Sequence, residues 1–132
     1  MKLIKRIILL LIIVIAIAGG VLAYKGHKVY KDVLKKTSVA DKVTQIKSQE
    51  NYTELKDLPD FYKNAVIAVE DRRFYKHGPI DPIAIARAVF VNIKSWKLQE
   101  GGSTITQQLA KNIYFTQEKS ALRKVAEMYM AY

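Results

Sequence analysis

A long uncharged apolar run near the start of the chain constrains its structure most. Residues 7–23 read IILLLIIVIAIAGGVLA, and as a helix this run spans roughly 25 Å at about 1.5 Å per residue. Leu3, Ile4 and Tyr24 extend it toward the roughly 30 Å thickness of a bilayer core. We therefore predict a transmembrane signal anchor over residues 7–24, preceded by a basic tail over residues 1–6.

The same segment has a second interpretation as a cleavable signal peptide. Ala16-Ile17-Ala18 resembles a small-residue cleavage site that follows a basic region. The run continues through Val21, Leu22 and Ala23 without a polar break, which favours an anchor that stays attached. Charge leaves the orientation open, because five lysines also follow the span: Lys25, Lys28, Lys31, Lys35 and Lys36.

The composition excludes several classes of protein. The 132 residues suffice for one domain at most, and a hydrophobic content of 50% argues against intrinsic disorder. The absence of cysteine excludes a disulfide scaffold, a Cys-ligated zinc site and thiol catalysis. The net charge of +10 comes from basic residues scattered among acids, without a recognisable binding module. We therefore predict no nucleic-acid partner.

The rest of the chain divides at Leu58-Pro59-Asp60, where a proline beside an acid marks a boundary. We predict a membrane-proximal stalk over residues 25–57, helical near the membrane, and a mainly α-helical folded unit over residues 58–132. Its stalk lysines either contact anionic lipid head groups or form a solvated basic face.

Helix signals recur inside the folded unit. Asp81-Pro82 has the order of an N-cap and first helical residue, and the apolar stretch from Ile83 to Ile93 predicts a buried helix. Residues 96–102 predict a loop. The segment from Thr104 to Gln107 matches a capping box, which predicts a helix over residues 103–113, and another helix is expected from about Ser120 onward.

The first polar constellation is EDRRFYKH, at residues 70–77. Glu70 directly follows an apolar pentad, so partial desolvation is expected to raise its pKa toward that of a general base. The alternative is a surface cluster in which Glu70 and Asp71 pair with Arg72 and Arg73.

The second constellation is GGSTITQQLAKN, at residues 101–112. Thr104, Gln107, Gln108 and Lys111 share one helix face, and the Gly-Gly loop at the helix N-terminus suits a phosphate or pyrophosphate. The alternative is an ordinary amphipathic helix whose polar face meets water.

The third constellation is RKVAE, at residues 123–127. Arg123 and Glu127 are spaced to pair on an exposed helix face. In the functional interpretation, Glu127 is a second carboxylate opposite Glu70, and Arg123 and Lys124 supply positive charge for an anionic leaving group.

The segments AVIAVEDRRFYKHG, DPIAIARA, GGSTITQQLAKN and RKVAE, in this order, resemble the peptidoglycan glycosyltransferases of family 51. These are the transglycosylase domains of class A penicillin-binding proteins and the monofunctional transglycosylases. The resemblance runs from about Leu58 to the end of the chain. It implies a lysozyme-like helical fold, incomplete at its C-terminus, on the extracytoplasmic side of the bacterial plasma membrane, with the basic tail over residues 1–6 in the cytoplasm.

The resemblance also implies an activity. Family members polymerise lipid II into glycan strands, invert the anomeric configuration and release undecaprenyl pyrophosphate. Glu70 would be the general base, and Glu127 would assist departure of the pyrophosphate. Lys111 would contact that pyrophosphate. The resemblance implies these further substrate-binding residues: Asp71, Phe74, His77, Gly102, Ser103, Thr104, Gln107, Gln108, Asn112, Lys119, Arg123 and Lys124.

The implied partners are lipid II, the growing glycan strand, the membrane and other cell-wall synthesis proteins. A divalent cation such as Mg²⁺ is the one cofactor implied, without an assigned ligand, and no organic cofactor is expected. Two residues depart from the family pattern: Gly78 comes one place early, so that Pro79 takes the glycine position, and Lys119 stands where arginine is common. We expect a different turn after His77 and a loss of bidentate geometry at Lys119.

Two other functions stay open from the sequence. One is a catalytically silent membrane protein that binds lipid II or cell-wall synthesis partners. The other is a lysozyme-like hydrolase, which the GGSTITQQLAKN motif and the membrane anchor disfavour.

Overall fold

The computed structural model describes residues 1–97, 100–118 and 120–132, and this part of the chain is helical and contains no strand. Two short 3₁₀ turns, Leu55–Asp57 and Phe74–Lys76, lie between longer helices. The predicted mainly α fold is confirmed. The α-helices in chain order are α1 (Lys2–Lys36), α2 (Val39–Lys47), α3 (Asp60–Glu70), α4 (Pro82–Ser95), α5 (Ile105–Tyr114) and α6 (Ala121–Ala131).

Helix α1 carries the apolar run and continues well beyond it. It has 35 residues, and by length and composition it can cross a membrane. Its apolar side chains stay exposed along residues 3–21, as lipid-facing side chains would be. The helix then runs on without a break from Tyr24 to Lys36.

The predicted helix starts agree with the capping side chains. Asp81 accepts hydrogen bonds from the amides of Ile83 and Ala84, and Pro82 is the first residue of α4. Thr104 and Gln107 form the predicted capping box of α5. Ser120 accepts from the amide of Arg123 and so begins α6. These caps satisfy amides that a helix N-terminus otherwise leaves without partners.

Helix α6 is the centre of the packing, because both α1 and α5 lie against it. The fully buried apolar side chains are small, at Ala88, Ala110 and Ala126. Larger buried side chains are polar: Asp71, Asp81, Thr104, Gln107 and Glu127. A polar interior of this kind requires a partner for almost every donor and acceptor, and these partners define the candidate site.

The predicted burial of α4 is wrong for this chain. The helix forms where expected, but Ile83, Phe90 and Ile93 remain 58%, 67% and 67% exposed, and only Ala88 is buried. The Gly102 backbone packs closely against α4 at Ile85. Within the described residues no helix covers its apolar faces, so its composition alone does not bury it.

Candidate active site

Glu70 is the last residue of α3, and its carboxylate points toward α5. The side-chain nitrogen Nε2 of Gln108 donates a 2.8 Å hydrogen bond to Oε2 of Glu70. Glu70 is exposed and lines a cavity of about 330 Å³, together with Arg72, Arg87 and the Gly101–Thr104 segment. The carboxylate is therefore oriented by the chain and open to a ligand.

Two expectations for this segment are wrong. Glu70 is not partly buried, because it ends the helix and the preceding Val69 is 80% exposed. The alternative, a surface cluster in which the two acids pair with Arg72 and Arg73, is also wrong, because these acids have other partners. Glu70 contacts Gln108, Asp71 contacts His77, and Arg73 contacts Asp81 at 2.9 Å.

Asp71 is the centre of a buried hydrogen-bond network that holds the turn after Glu70. Its Oδ1 lies 2.7 Å from Nε2 of His77, and its Oδ2 accepts a 3.2 Å hydrogen bond from the amide of Ile105. One carboxylate thus joins the turn after α3 to the N-terminus of α5. This geometry fixes the position of Glu70, its neighbour in the chain, relative to Gln108.

His77 is the imidazole member of this hydrogen-bond network. Its Nδ1 lies 2.5 Å from the carbonyl of Gly78, which can only accept, so this nitrogen carries a proton. Hydrogen bonding to Asp71, and then to Gly78, raises the pKa of His77 above its ordinary value, and burial opposes the shift only in part. Asp81 lies 4.0 Å away as a second carboxylate. His77 therefore lies between two acids.

Asp81 is ionised although it is only 1% exposed. Burial alone would raise its pKa, but hydrogen bonds from the Ala84 amide, the Arg73 guanidinium and the Ile83 amide outweigh burial and lower that pKa below its ordinary value. The residue thus caps α4 and holds Arg73 in the same contact set. The spacing of Arg73 and Asp81 in the sequence follows no helical or strand period, so the sequence did not predict this pair.

Two amides at the N-terminus of α5 have partners within the chain, and the phosphate site predicted at the Gly-Gly loop stays a prediction. The Ile105 amide donates to Asp71 and the Gln107 amide to the Thr104 hydroxyl oxygen. The Asp71 carboxylate occupies the place where an anion gains most from the helix dipole. Thr104 also donates through its hydroxyl to the Pro79 carbonyl at 2.6 Å, which ties the Gly78-Pro79 turn to α5.

The polar face of α5 points inward rather than into water. Thr104 and Gln107 are 2% and 1% exposed, whereas Leu109 on the other face is 56% exposed. The expectation of an ordinary amphipathic helix with a solvated polar face is therefore wrong. Gln108 and Lys111 flank the buried residues as half-buried side chains.

A second cluster surrounds Glu127, which has no exposed surface. Arg123 donates to its Oε1, and the Nζ of Lys124 donates to its Oε2 at 3.0 Å and to the Ser103 hydroxyl at 2.6 Å. The predicted Arg123–Glu127 pair forms, but it is buried rather than exposed. Burial lowers the pKa of Lys124, and the neighbouring charges of Arg123 and Lys111 lower it further.

The two clusters meet at Gly102 and Ser103. Both residues line the cavity that contains Glu70 and also a second cavity of about 220 Å³ that contains Lys124 and Gln107. The Glu70 carboxylate on one side and the Lys124 ammonium on the other therefore share one wall, and Glu127 holds Arg123 beside Lys124. Such an arrangement can accept a proton at one end and stabilise negative charge at the other.

Comparison with known proteins gives the family. The family model described as Transglycosylase matches residues 36–132, well over half of the chain. This chain belongs to the transglycosylase family. Penicillin-binding protein 1A of Neisseria lactamica is 51% identical over 81 residues, covering 61% of this chain and 10% of that protein. The corresponding protein of Aquifex aeolicus is 46% identical over 80 residues, covering 61% and 11%.

The aligned part is therefore about a tenth of the length of these curated relatives. The family match begins at residue 36, inside the segment predicted as a stalk. The division of this transglycosylase chain at Leu58 stays a prediction.

Some predicted site residues of the transglycosylase chain lie apart from the two clusters. Phe74 is half-buried in the 3₁₀ turn and packs edge-to-face on Tyr75, with ring centroids 5.2 Å apart. Asn112 is exposed on α5. Lys119 lies outside the described residues, so the expected effect of lysine at this position stays a prediction.

The sequence interpretation missed residues that fix the glycine loop. The Asn92 side chain accepts from the Glu100 amide at 3.0 Å and donates to the Glu100 carbonyl at 2.9 Å. Arg87 pairs with the Glu100 carboxylate at 3.1 Å. These contacts hold the residue before Gly101 against α4, and the Asn92 contacts had no local signal because they join a helix side chain to a loop backbone.

The two buried acidic clusters offer no free ligand set for the Mg²⁺ that the resemblance implied, and this ion stays a prediction. Asp71, His77 and Asp81 bring three potential ligand atoms within 4.8 Å of one another. Their oxygens already accept from Ile105, Arg73 and the α4 amides, and His77 lies hydrogen-bonded to Asp71. Both Glu127 oxygens are likewise bound to cations. We derive no reaction step through a metal ion.

Proposed function

We propose that this chain forms the base-bearing part of a peptidoglycan glycosyltransferase that polymerises lipid II into glycan strands. Membership of the transglycosylase family supports glycosyltransfer in general. The observation that carries the finer proposal is the shared wall at Gly102 and Ser103, which separates the open Glu70 carboxylate from the Arg123, Lys124 and Glu127 cluster.

In this proposal Glu70 acts as the general base. It takes the proton from the 4-hydroxyl of the acceptor sugar as that oxygen attacks the anomeric carbon of the donor. The new glycosidic bond forms as the bond to the pyrophosphate oxygen breaks, and the configuration inverts. The hydrogen bond from Gln108 holds one carboxylate oxygen, which orients the base before substrate binds.

The cations around Glu127 have the other role. A departing undecaprenyl pyrophosphate gains negative charge on its bridging oxygen, and positive side chains stabilise that charge in the transition state. Lys124 and Arg123 are held by Glu127, and Lys111 lies close enough to influence Lys124. In this proposal Glu127 positions the two cations, and Lys111 contacts the pyrophosphate.

The proposed location follows from α1. A 35-residue helix with an apolar first half would anchor the chain in the bacterial plasma membrane, beside a lipid-linked substrate. We place the site on the extracytoplasmic side, where glycan strands are assembled. Other cell-wall synthesis proteins are proposed partners of the whole protein.

The test is Glu70→Gln in the longest reading frame that contains these residues, with Glu50→Gln as the matched control. Glu50 is an exposed acid in the turn after α2. We expect polymer formation from labelled lipid II to fall by at least about 100-fold in the Glu70 variant, and lipid II binding to vesicles to stay within about twofold. Near-normal elongation would overturn the assignment of the base. Binding without any polymer in the unmodified protein would favour a catalytically silent lipid II binder instead.

A further inference from the structure

Helix α1 contacts α6 immediately beyond its apolar run. Gly26 is buried at this contact, and a Cβ atom added there would lie 2.5 Å from Cγ1 and 2.8 Å from Cβ of Val125. Because the second distance does not depend on the valine rotamer, a larger residue at position 26 requires the two helices to move apart. Only glycine permits the observed approach.

Aromatic rings continue the contact along the next turn of α1. The His27 ring meets Tyr129 edge-to-face at 5.1 Å between centroids, and Tyr30 stacks on Tyr129 at 6.1 Å. The lysines of this part of α1 face outward and are exposed. The close approach at Gly26 and the ring contacts thus fix both the separation and the register of the two helices.

The contact lies at a defined distance along α1 from the end of the apolar run. Gly26 lies three residues beyond Ala23, the last residue of the apolar run, which is about 4.5 Å along the helix axis. The head-group layer on each side of a bilayer core is roughly 5–8 Å thick. In α6, Val125 lies between Lys124 and Glu127, so the contact places the cationic cluster close to that layer.

We propose that Gly26 is a positioning residue that holds α6 at the level of the lipid head groups. Arg123 and Lys124 then meet a phosphate at the depth where a membrane lipid carries it. This inference rests on the proposed function, in which the cluster stabilises a lipid-linked pyrophosphate.

The experiment measures the depth of α6 in vesicles of phosphatidylcholine and phosphatidylglycerol, without substrate. The chain lacks cysteine, so Ala121→Cys at the exposed start of α6 gives one site for a bimane fluorophore. Nitroxide-labelled lipids carry the quencher either at the head group or deep in the acyl chain. We expect strong quenching by the head-group nitroxide and little by the deep one. Quenching by neither lipid, or mainly by the deep one, would overturn the proposed level.

The role of Gly26 is tested in the same labelled chain. We expect Gly26→Ala to abolish the head-group quenching, and Gly20→Ala, which adds the same methyl group where nothing lies within 4 Å, to leave it unchanged. Adding Val125→Gly to Gly26→Ala removes both clashing carbon atoms and should restore the quenching, even if the single variant loses helix content by circular dichroism. The proposal is overturned if the double variant does not restore the head-group quenching, or if Gly26→Ala leaves that quenching unchanged. If the labelled chain without the Gly26 substitution reaches the expected depth but makes no polymer from lipid II, the result would instead count against the proposed function alone.

Discussion

The Nε2 atom of Gln108 lies 2.8 Å from Oε2 of Glu70, although 38 positions separate the two residues in the chain. The contact joins the C-terminus of α3 to the first turns of α5. Asp71, the next residue after Glu70, is bound to the same helix through the Ile105 amide. Glu70 is therefore held from two directions while its carboxylate remains open to the cavity.

Gln108→Ala should reduce polymerisation more than stability. The substitution removes the donor that orients Glu70, and we expect kcat/KM to fall about tenfold, with the free energy of unfolding changed by less than about 0.5 kcal/mol. In the double variant with Glu70→Gln, Gln108→Ala should reduce kcat/KM little further, because both substitutions act on one contact. Gln49→Ala, at an exposed glutamine, is the control. Full additivity of the two changes would argue against a shared role.

Gly102→Ala should destabilise the shared wall of the two cavities. An added Cβ would lie 2.9 Å from the Ile85 Cα and 3.2 Å from the Ala84 carbonyl oxygen, so backbone must move. We expect a loss of about 1–3 kcal/mol in unfolding free energy. Gly101→Ala meets nothing within 4 Å and should be neutral or stabilising by about 0.4–1 kcal/mol. Denaturant unfolding of both variants compares them, and equal stabilities would contradict the close packing on α4.

The hydrogen-bond network of Asp71 and His77 should make the free energy of unfolding depend on pH. The folded-state pKa of His77 is raised above that of the unfolded chain, so its contribution is complete below about pH 6.5 and is lost as pH rises through the folded-state value. We expect the melting temperature to fall across this alkaline limb, and His77→Gln to remove that limb. The lowered pKa of Asp81 acts in the opposite sense: its contribution to stability is present above about pH 4 and is lost as the pH falls further. A limb that survives in His77→Gln would assign it to another group.

Lys111→Ala should weaken the binding of a lipid-linked pyrophosphate. The substitution removes a positive charge that acts on Lys124, and we expect about a tenfold increase in Kd with little change in melting temperature. Lys94→Ala on exposed α4 changes the net charge equally and serves as the control. Vesicle binding and thermal unfolding are measured on the same preparations. A parallel loss of binding and melting temperature would indicate a structural role for Lys111.

Local signals in the sequence determined the secondary structure and the family. The apolar run specified a long helix despite Gly19 and Gly20, because a segment that crosses a bilayer must satisfy its own backbone hydrogen bonds. The N-caps at Asp81, Thr104 and Ser120 were predictable because a capping side chain and the amide it accepts from lie within three residues of each other. The four motif segments identified the family for the same reason, since each is contiguous in the chain.

Tertiary structure decided which side chains are buried and which of them meet. The inward polar face of α5, the exposed apolar faces of α4 and the buried Glu127 all depend on which helices pack together. The contacts of Glu70 with Gln108 and of Gly26 with Val125 join residues far apart in the sequence. Such pairs leave no periodic pattern, because the distance between them is set by the contacts of α3 with α5 and of α1 with α6 rather than by the spacing of residues along one helix.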